Sequence, residues 1–409
     1  MEKENFKIVI VGHVDHGKST FIGRLLYDTD SIPPDKIEVI EQVCFELGKP
    51  LEFAFITDQI REEREKGITI DTTQIFFYTD KRDYVIIDAP GHKEFMKNMI
   101  TGASQAEGSV LVVDANEGVK EQTRRHAYVL GLLGLRENII ILNKMDLVNY
   151  SEETYNAVKK EISEFYKSIG IAATYVIPVS AVVGDNIATK SEKTPWYDGP
   201  TVIEAIDSLK KHDDIENAEL RFPIQDVYNI DGKKIVVGRI ESGQIKDGDQ
   251  LFLHPGKREV TISEILEFGH EKHSADCGES TGVTLQGASD VKRGEMLSGR
   301  NSSPIETTKI HGTIFWMFPM PIKVNQTLAF RCNTQEVPCR IAVIKKRIDS
   351  STSALLEENA TTLGETEVGE VIIETDQPVL VENFLDIPEL GRFVLEWREI
   401  IVAGGVVTG

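Results

Sequence analysis

The sequence predicts an α/β domain with a doubly wound, mostly parallel sheet, followed by a β-barrel and a second all-β block. Three observations carry that expectation. Up to about residue 212, short Val/Ile/Leu-rich runs alternate with helical patterns, as expected for strands buried on both faces of a parallel sheet. Near the N-terminus, GHVDHGKST (Gly12 to Thr20) sits between a β-branched run and a helix-like stretch. Beyond Leu209 the helical period fades, and short strand-like runs are split by turn signals.

The strand candidates of the first part are Phe6–Val11, Gln74–Tyr78, Tyr84–Asp88, Ser109–Asp114, Asn138–Leu142 and Tyr175–Ser180. Helical patterns cover Gln122–Leu133 and Glu152–Ile169. Residues 31–60 interrupt this rhythm. They open with Pro33-Pro34 and carry a helix-like Asp35–Leu47 that is stopped at Gly48. An insertion of this size is expected to be functional. The polar stretch from Lys210 to Ala218 reads as a linker. After it come turns at Asp231-Gly232, Glu241–Gly243, Lys246–Asp249 and His254–Gly256, and then a second all-β block from near Thr307 to the end.

Composition sets outer limits. The 409 residues are 41% hydrophobic and 27% charged, enough for two or three packed domains. The net charge of −21 argues against broad electrostatic binding to nucleic acid. Lys345-Lys346-Arg347 is the nearest approach to a basic run, and it reads as a short exposed turn. The four cysteines form no CxxC pair, and the spacing of Cys332 and Cys339 lacks partners for a zinc site, so reduced structural thiols are expected. No signal-like segment opens the chain and no apolar run reaches about 18 residues. A soluble, cytoplasmic protein is expected.

The chemistry lies in a series of short motifs. GHVDHGKST fits G-x-x-x-x-G-K-[ST] through Gly12, Gly17, Lys18 and Ser19. Its glycines let successive amides of Val14, Asp15, His16, Gly17, Lys18, Ser19 and Thr20 point at one phosphate cluster. Lys18 supplies charge to the outer phosphates and the Ser19 hydroxyl can ligate Mg²⁺. His13 and His16 read as braces of the turn. Asp88-Ala-Pro-Gly91 ends the third strand candidate. Asp88 can hold Mg²⁺ through water, and Gly91 can bring an amide to a γ-phosphate. His92 follows directly and is placed to orient an attacking water. Thr69, in Gly67-Ile-Thr-Ile, can bring its hydroxyl to Mg²⁺ and its amide to the γ-phosphate, contacts that vanish when the phosphate leaves. Asn143-Lys-Met-Asp146 selects the base. Asp146 can accept from the guanine N1–H and exocyclic amine, a donor pair adenine lacks. Asn143 faces the base edge and braces the phosphate loop, and the Lys144 stem covers the ring. Ser180-Ala181 offers an amide to guanine O6. In order along the chain, these elements fall at the C-terminal ends of successive strands, where open α/β sheets bind ligands.

Together GHVDHGKST, GITI, DAPGH, NKMD and SA resemble the translation-factor class of GTPases, and the likeness covers the whole chain, including LRFPIQDVY at Leu220–Tyr228. The resemblance implies GTP/GDP and Mg²⁺ as cofactors. It implies an α/β P-loop GTPase domain followed by two β-barrel domains, expected at 1–212, 213–305 and 306–409. Within the class, Phe21–Thr29, Glu121–His126, Gly184–Thr201, Ile314–Met317, Val337–Cys339 and Glu358–Val371 are similar to the large GTP-hydrolysing subunit of bacterial sulfate adenylyltransferase. That similarity implies coupling of GTP hydrolysis to adenylyl-sulfate synthesis by a small catalytic partner subunit. His13, His16, Lys97–Ala106 and Pro388–Phe393 instead resemble elongation factor Tu, which implies a carrier of aminoacyl-tRNA to the ribosome. The third-domain similarities place sulfate activation first and the carrier as its alternative.

Overall fold

The computed structural model describes residues 5–46, 52–57, 73–88, 106–210, 218–230, 232–267, 270–288 and 290–409. The chain forms two compact units. The first is built on a six-stranded sheet of β1 (Asn5–Gly12), β2 (Thr73–Tyr78), β3 (Asp83–Asp88), β4 (Gly108–Asp114), β5 (Glu137–Asn143) and β6 (Tyr175–Pro178). Its order is β2-β3-β1-β4-β5-β6. All neighbours run parallel except β2, which pairs antiparallel with β3. Every residue of β4 is buried, which explains the unbroken apolar run Val110-Leu-Val-Val113 at its centre.

Register decides where the chemistry collects. Ile10 of β1 lies opposite Asp88 of β3, Gly12 opposite Val112 of β4, and Asp114 opposite Asn143 of β5. The C-terminal ends of four adjacent strands therefore carry Gly12, Asp88, Asp114 and Asn143 on one edge. Around the sheet lie α1 (Lys18–Asp28), α2 (Pro34–Glu46), α3 (Glu121–Leu132), α4 (Glu152–Ser168) and α5 (Val202–Ser208). Local chemistry marks their ends. Pro34 opens α2 with its fixed φ. The Ser151 side chain caps α4, and a Thr201–Glu204 capping box opens α5. In α4 the buried residues are Tyr155, Val158, Ile162, Phe165 and Tyr166, the spacing of a single apolar stripe.

In the second unit, two sheets each close on themselves. Strands β7 (Arg221–Ile230), β8 (Lys233–Arg239), β9 (Gln250–His254), β10 (Arg258–Glu267), β11 (Ser280–Gln286) and β12 (Met296–Ser298) run in the ring β9-β12-β7-β8-β11-β10, and β10 pairs back with β9. Strands β13 (Ile305–Trp316), β14 (Thr327–Cys332), β15 (Gln335–Asp349), β16 (Glu367–Val381), β17 (Arg392–Trp397) and β18 (Ile400–Val407) close in the ring β14-β17-β18-β13-β16-β15. The fold is thus an α/β P-loop domain followed by two β-barrels. Closure leaves the ring strands no free edge. Cys332 and Cys339 are buried thiols in the second barrel, pushed up to about 12 by loss of solvent, as inert as expected.

One local expectation is corrected. Lys345-Lys346-Arg347 is no exposed turn, because it lies within β15. Lys346 pairs with Glu370 at 2.9 Å and Arg347 with Glu357 at 3.3 Å, across the sheet. The expected linker falls almost wholly on residues 211–217, outside the described residues. No helix among the described residues is long and apolar enough to cross a membrane.

Candidate functional site

The phosphate loop is shaped by its two neighbours in the sheet. Gly12 packs so close to β4 that a Cβ would stand 2.8 Å from the Val112 carbonyl oxygen. His16 is fully buried, and its Nδ1 accepts from the Asp114 amide at 3.2 Å, which pins the loop to the end of β4. Burial, and then His13, holds the His16 imidazole below its ordinary pKa, so it serves as a neutral acceptor. The bracing role expected for His16 is observed.

Gly17 caps α1 with φ +83 and no side-chain cap. The first turn of α1 carries no acidic residue. Its leading amides are left without an intrahelical partner, which is the condition for an anion site. An added Cβ at Gly17 would lie 2.5 Å from the Asn143 Nδ2. Gly17→Ala is therefore expected to cost about 1–2 kcal/mol from the left-handed backbone alone and more from the displaced brace. A lowered denaturant midpoint reads it.

Asn143, on β5, joins both ends of the site. Its Nδ2 donates to the His16 carbonyl at 2.9 Å, and its Oδ1 accepts from the Ala181 amide at 3.0 Å. The side chain is 2% exposed, so both bonds are sheltered from water. Lys144 has φ +62 and extends its stem beside Gly17. Its Nζ is held by Asp114 Oδ2 at 2.7 Å. Burial would raise the Asp114 carboxyl, but Lys144 and the amides of Glu117 and Asn116 outweigh burial and hold it below the usual range. Asp146 Oδ1 accepts from the Ser180 hydroxyl at 2.6 Å. Asn143, Lys144, Asp146, Ser180 and Ala181 are thus brought together at one edge of the sheet.

Lys18 and Asp88 form the other pole. Lys18 Nζ lies 2.8 Å from Asp88 Oδ1, with side chains 9% and 1% exposed. Ser19 sits in the first turn of α1. Thr69, Gly91 and His92 lie outside the described residues. Among the described residues no group of three or more His, Cys, Asp or Glu side chains could hold a metal by itself.

The sequence reading missed three supports. Asp114 is one, and the turn it makes with Asn116 and Glu117 was the available signal. The second is the 185–196 segment. Asp185 accepts from Tyr150 at 2.6 Å and Ser191 at 2.7 Å. Asn186 donates to the Pro178 carbonyl at 2.8 Å and Thr194 at 2.9 Å. These bonds hold the loop that follows β6. The third is His126 of α3, which is 1% exposed and bonds Gln122 at 3.1 Å. Burial, with smaller contributions from Lys18, His13 and His16, pushes the imidazole down to about 3. A depressed histidine stabilises the fold fully above its unfolded value of 6.5 and loses that contribution as pH falls towards 3. Between those limits stability should fall by about 1.4 kcal/mol per pH unit from this group. His126→Asn should flatten that slope in chemical denaturation between pH 4 and 6.5.

The family profile "Elongation factor Tu GTP binding domain" matches residues 3–212, and "GTP-eEF1A C-terminal domain-like" matches residues 309–408. Elongation factor 1-alpha of Archaeoglobus fulgidus is 41% identical over 414 aligned positions, which cover 99% of this chain and 98% of that protein. The chain belongs to the elongation factor Tu and elongation factor 1-alpha family of translation GTPases. Elongation factors 1-alpha of Methanoculleus marisnigri and Pyrococcus horikoshii, each 40% identical over 99% of this chain, agree.

This membership corrects the first-placed expectation. The chain is not assigned to sulfate adenylyltransferase, and a small adenylyl-transferring partner subunit is withdrawn with it. The full-length identity to elongation factors decides against both. The physical reason is visible in the stretches that suggested the sulfate branch. Phe21–Thr29 is the body of α1, Glu121–His126 the start of α3, and Gly184–Thr201 the bracing of the base loop. Ile314–Met317, Val337–Cys339 and Glu358–Val371 fall on or beside strands of the second barrel. Such segments record packing in a shared architecture and carry little about the partner.

Proposed function

We propose that this GTPase is an elongation factor that carries aminoacyl-tRNA to the ribosome and releases it after hydrolysis, with a GTP-binding domain at 1–212 and barrels at 213–305 and 306–409. The observation that carries the reading is the end-to-end identity with elongation factor 1-alpha. The site geometry is consistent with it. The amides of Val14 to Thr20 cradle the phosphates, with Lys18 as the point charge. Asn143, Lys144, Asp146, Ser180 and Ala181 hold guanine. Ser19, Thr69 and Asp88 would hold Mg²⁺, Asp88 through water, and the ion would neutralise charge on the β- and γ-oxygens. The buried Asp88 carboxylate, a hard oxygen donor beside Lys18, fits that donor set. Gly91 offers its amide to the γ-phosphate, and His92 orients the attacking water.

The net charge of −21 is a sum over the whole chain and does not fix the charge of any one face. The test is retention of aminoacyl-tRNA on the immobilised protein. With a non-hydrolysable GTP analogue, charged tRNA should be retained and protected from deacylation, and with GDP it should be lost. Equal retention of uncharged tRNA, or none in either state, overturns the carrier reading.

A further inference from the structure

We propose that Arg24 is a positioning residue for guanine selection, a rigid plate that seats the 180–184 turn and so fixes the Ala181 amide. The proposal rests on the reading above that this turn contacts the base. Arg24 stands on α1, whose N-terminus is the phosphate loop. Its side chain is four-fifths buried, and the guanidinium is held on several sides. Nε donates to Asp28 Oδ1 at 2.8 Å. The Phe53 ring lies 4.9 Å from the guanidinium carbon, and the Tyr27 ring 5.8 Å. Phe53 and Tyr27 meet edge to face at 5.4 Å. Gly23 makes this approach possible, because a Cβ there would run into the Phe53 carbonyl oxygen.

On the remaining side the guanidinium meets Gly184. A Cβ at Gly184 would overlap Nη2, Cζ and Nε of Arg24. Gly184 has φ +94 and its amide donates to the Ser180 carbonyl at 2.7 Å, closing the turn that presents Ala181. The base loop therefore rests on a flat cation whose other contacts come from α1 and Phe53. One helix aligns both ends of the nucleotide: the phosphates through its N-terminus and the base through Arg24. Lysine can keep the ion pair with Asp28, but its point charge offers no plane for the turn to sit on.

The experiment compares GDP with 6-thio-GDP, which keeps N1–H and the 2-amino group but replaces the O6 acceptor with sulfur. The parent protein should prefer GDP by about tenfold, the worth of one good hydrogen bond. Arg24→Lys should stay folded, with one cooperative melting transition, bind GDP about tenfold more weakly, and lose most of that preference, since an unseated amide no longer reads O6. Gly184→Ala, which pushes on the plate from the other side, should reproduce the lost preference. A parent that binds GDP with an Arg24→Lys variant of unchanged preference overturns the positioning role alone. Weakening of both nucleotides by one factor, with the preference kept, makes Arg24 a packing residue and overturns it too. A parent that binds neither nucleotide overturns the guanine-site reading, and the positioning role falls with it.

Discussion

Asp146→Asn should move the nucleotide preference from GTP to xanthosine triphosphate. The carboxylate is expected to accept from guanine N1–H and the exocyclic amine, two charge-assisted bonds worth about 1.5–3 kcal/mol each. Their loss predicts a drop of about 10²–10⁴ in GTP affinity. The structure says which way the new amide will face. Ser180 donates to Asp146 Oδ1 at 2.6 Å. In the variant the amide oxygen keeps that donor, so the NH₂ group turns to the base. There it clashes with the guanine amine and suits the C2 carbonyl of xanthine. Competition binding with a fluorescent nucleotide reads both affinities. If GTP binding survives while xanthosine triphosphate does not improve, Asp146 does not select the base. Ser180→Ala, which frees the amide to flip, should blunt the switch.

The same pair shows what a sequence can and cannot yield. Asp146 and Ser180 were legible because a strand end followed by a spaced polar motif is a local pattern, and the parallel sheet brings such ends together by rule. Gly17 was legible for the same reason: the spacing of the phosphate-loop motif is local, and glycine takes the left-handed backbone at the least cost. Arg24 and His126 were not. Each acts through partners far along the chain: Gly184 for Arg24, and the phosphate-loop surroundings for His126. No spacing announces a contact across 160 residues. The barrels were legible as strands and turns. Their closure was visible only in the pairings of β9 with β10 and β14 with β15. The branch within the family was misread because bracing segments such as Asp185–Thr194 were treated as marks of function.

Lys18→Ala should damage the protein twice, and a second substitution separates the two effects. The first loss is functional. Without the ammonium the outer phosphates lose a charge-assisted partner, worth about 1.5–3 kcal/mol, or roughly 10- to 150-fold in GTP affinity. The second is structural. Asp88, 1% exposed, loses its ammonium partner at the end of β3. Breaking a buried pair from one side typically costs about 3–5 kcal/mol. Replacing both partners removes the carboxylate too, so Lys18→Ala with Asp88→Ala should be more stable than Lys18→Ala alone. It should bind GTP no better, because the phosphate partner is still missing and the carboxylate proposed for Mg²⁺ is gone as well. Denaturant unfolding and GTP titration of the parent, both single variants and the double variant give the full cycle. A double variant less stable than Lys18→Ala would mean that the pair is not the buried, mutually dependent unit its 2.8 Å geometry describes. A double variant that regains GTP affinity would move the phosphate-binding charge away from Lys18.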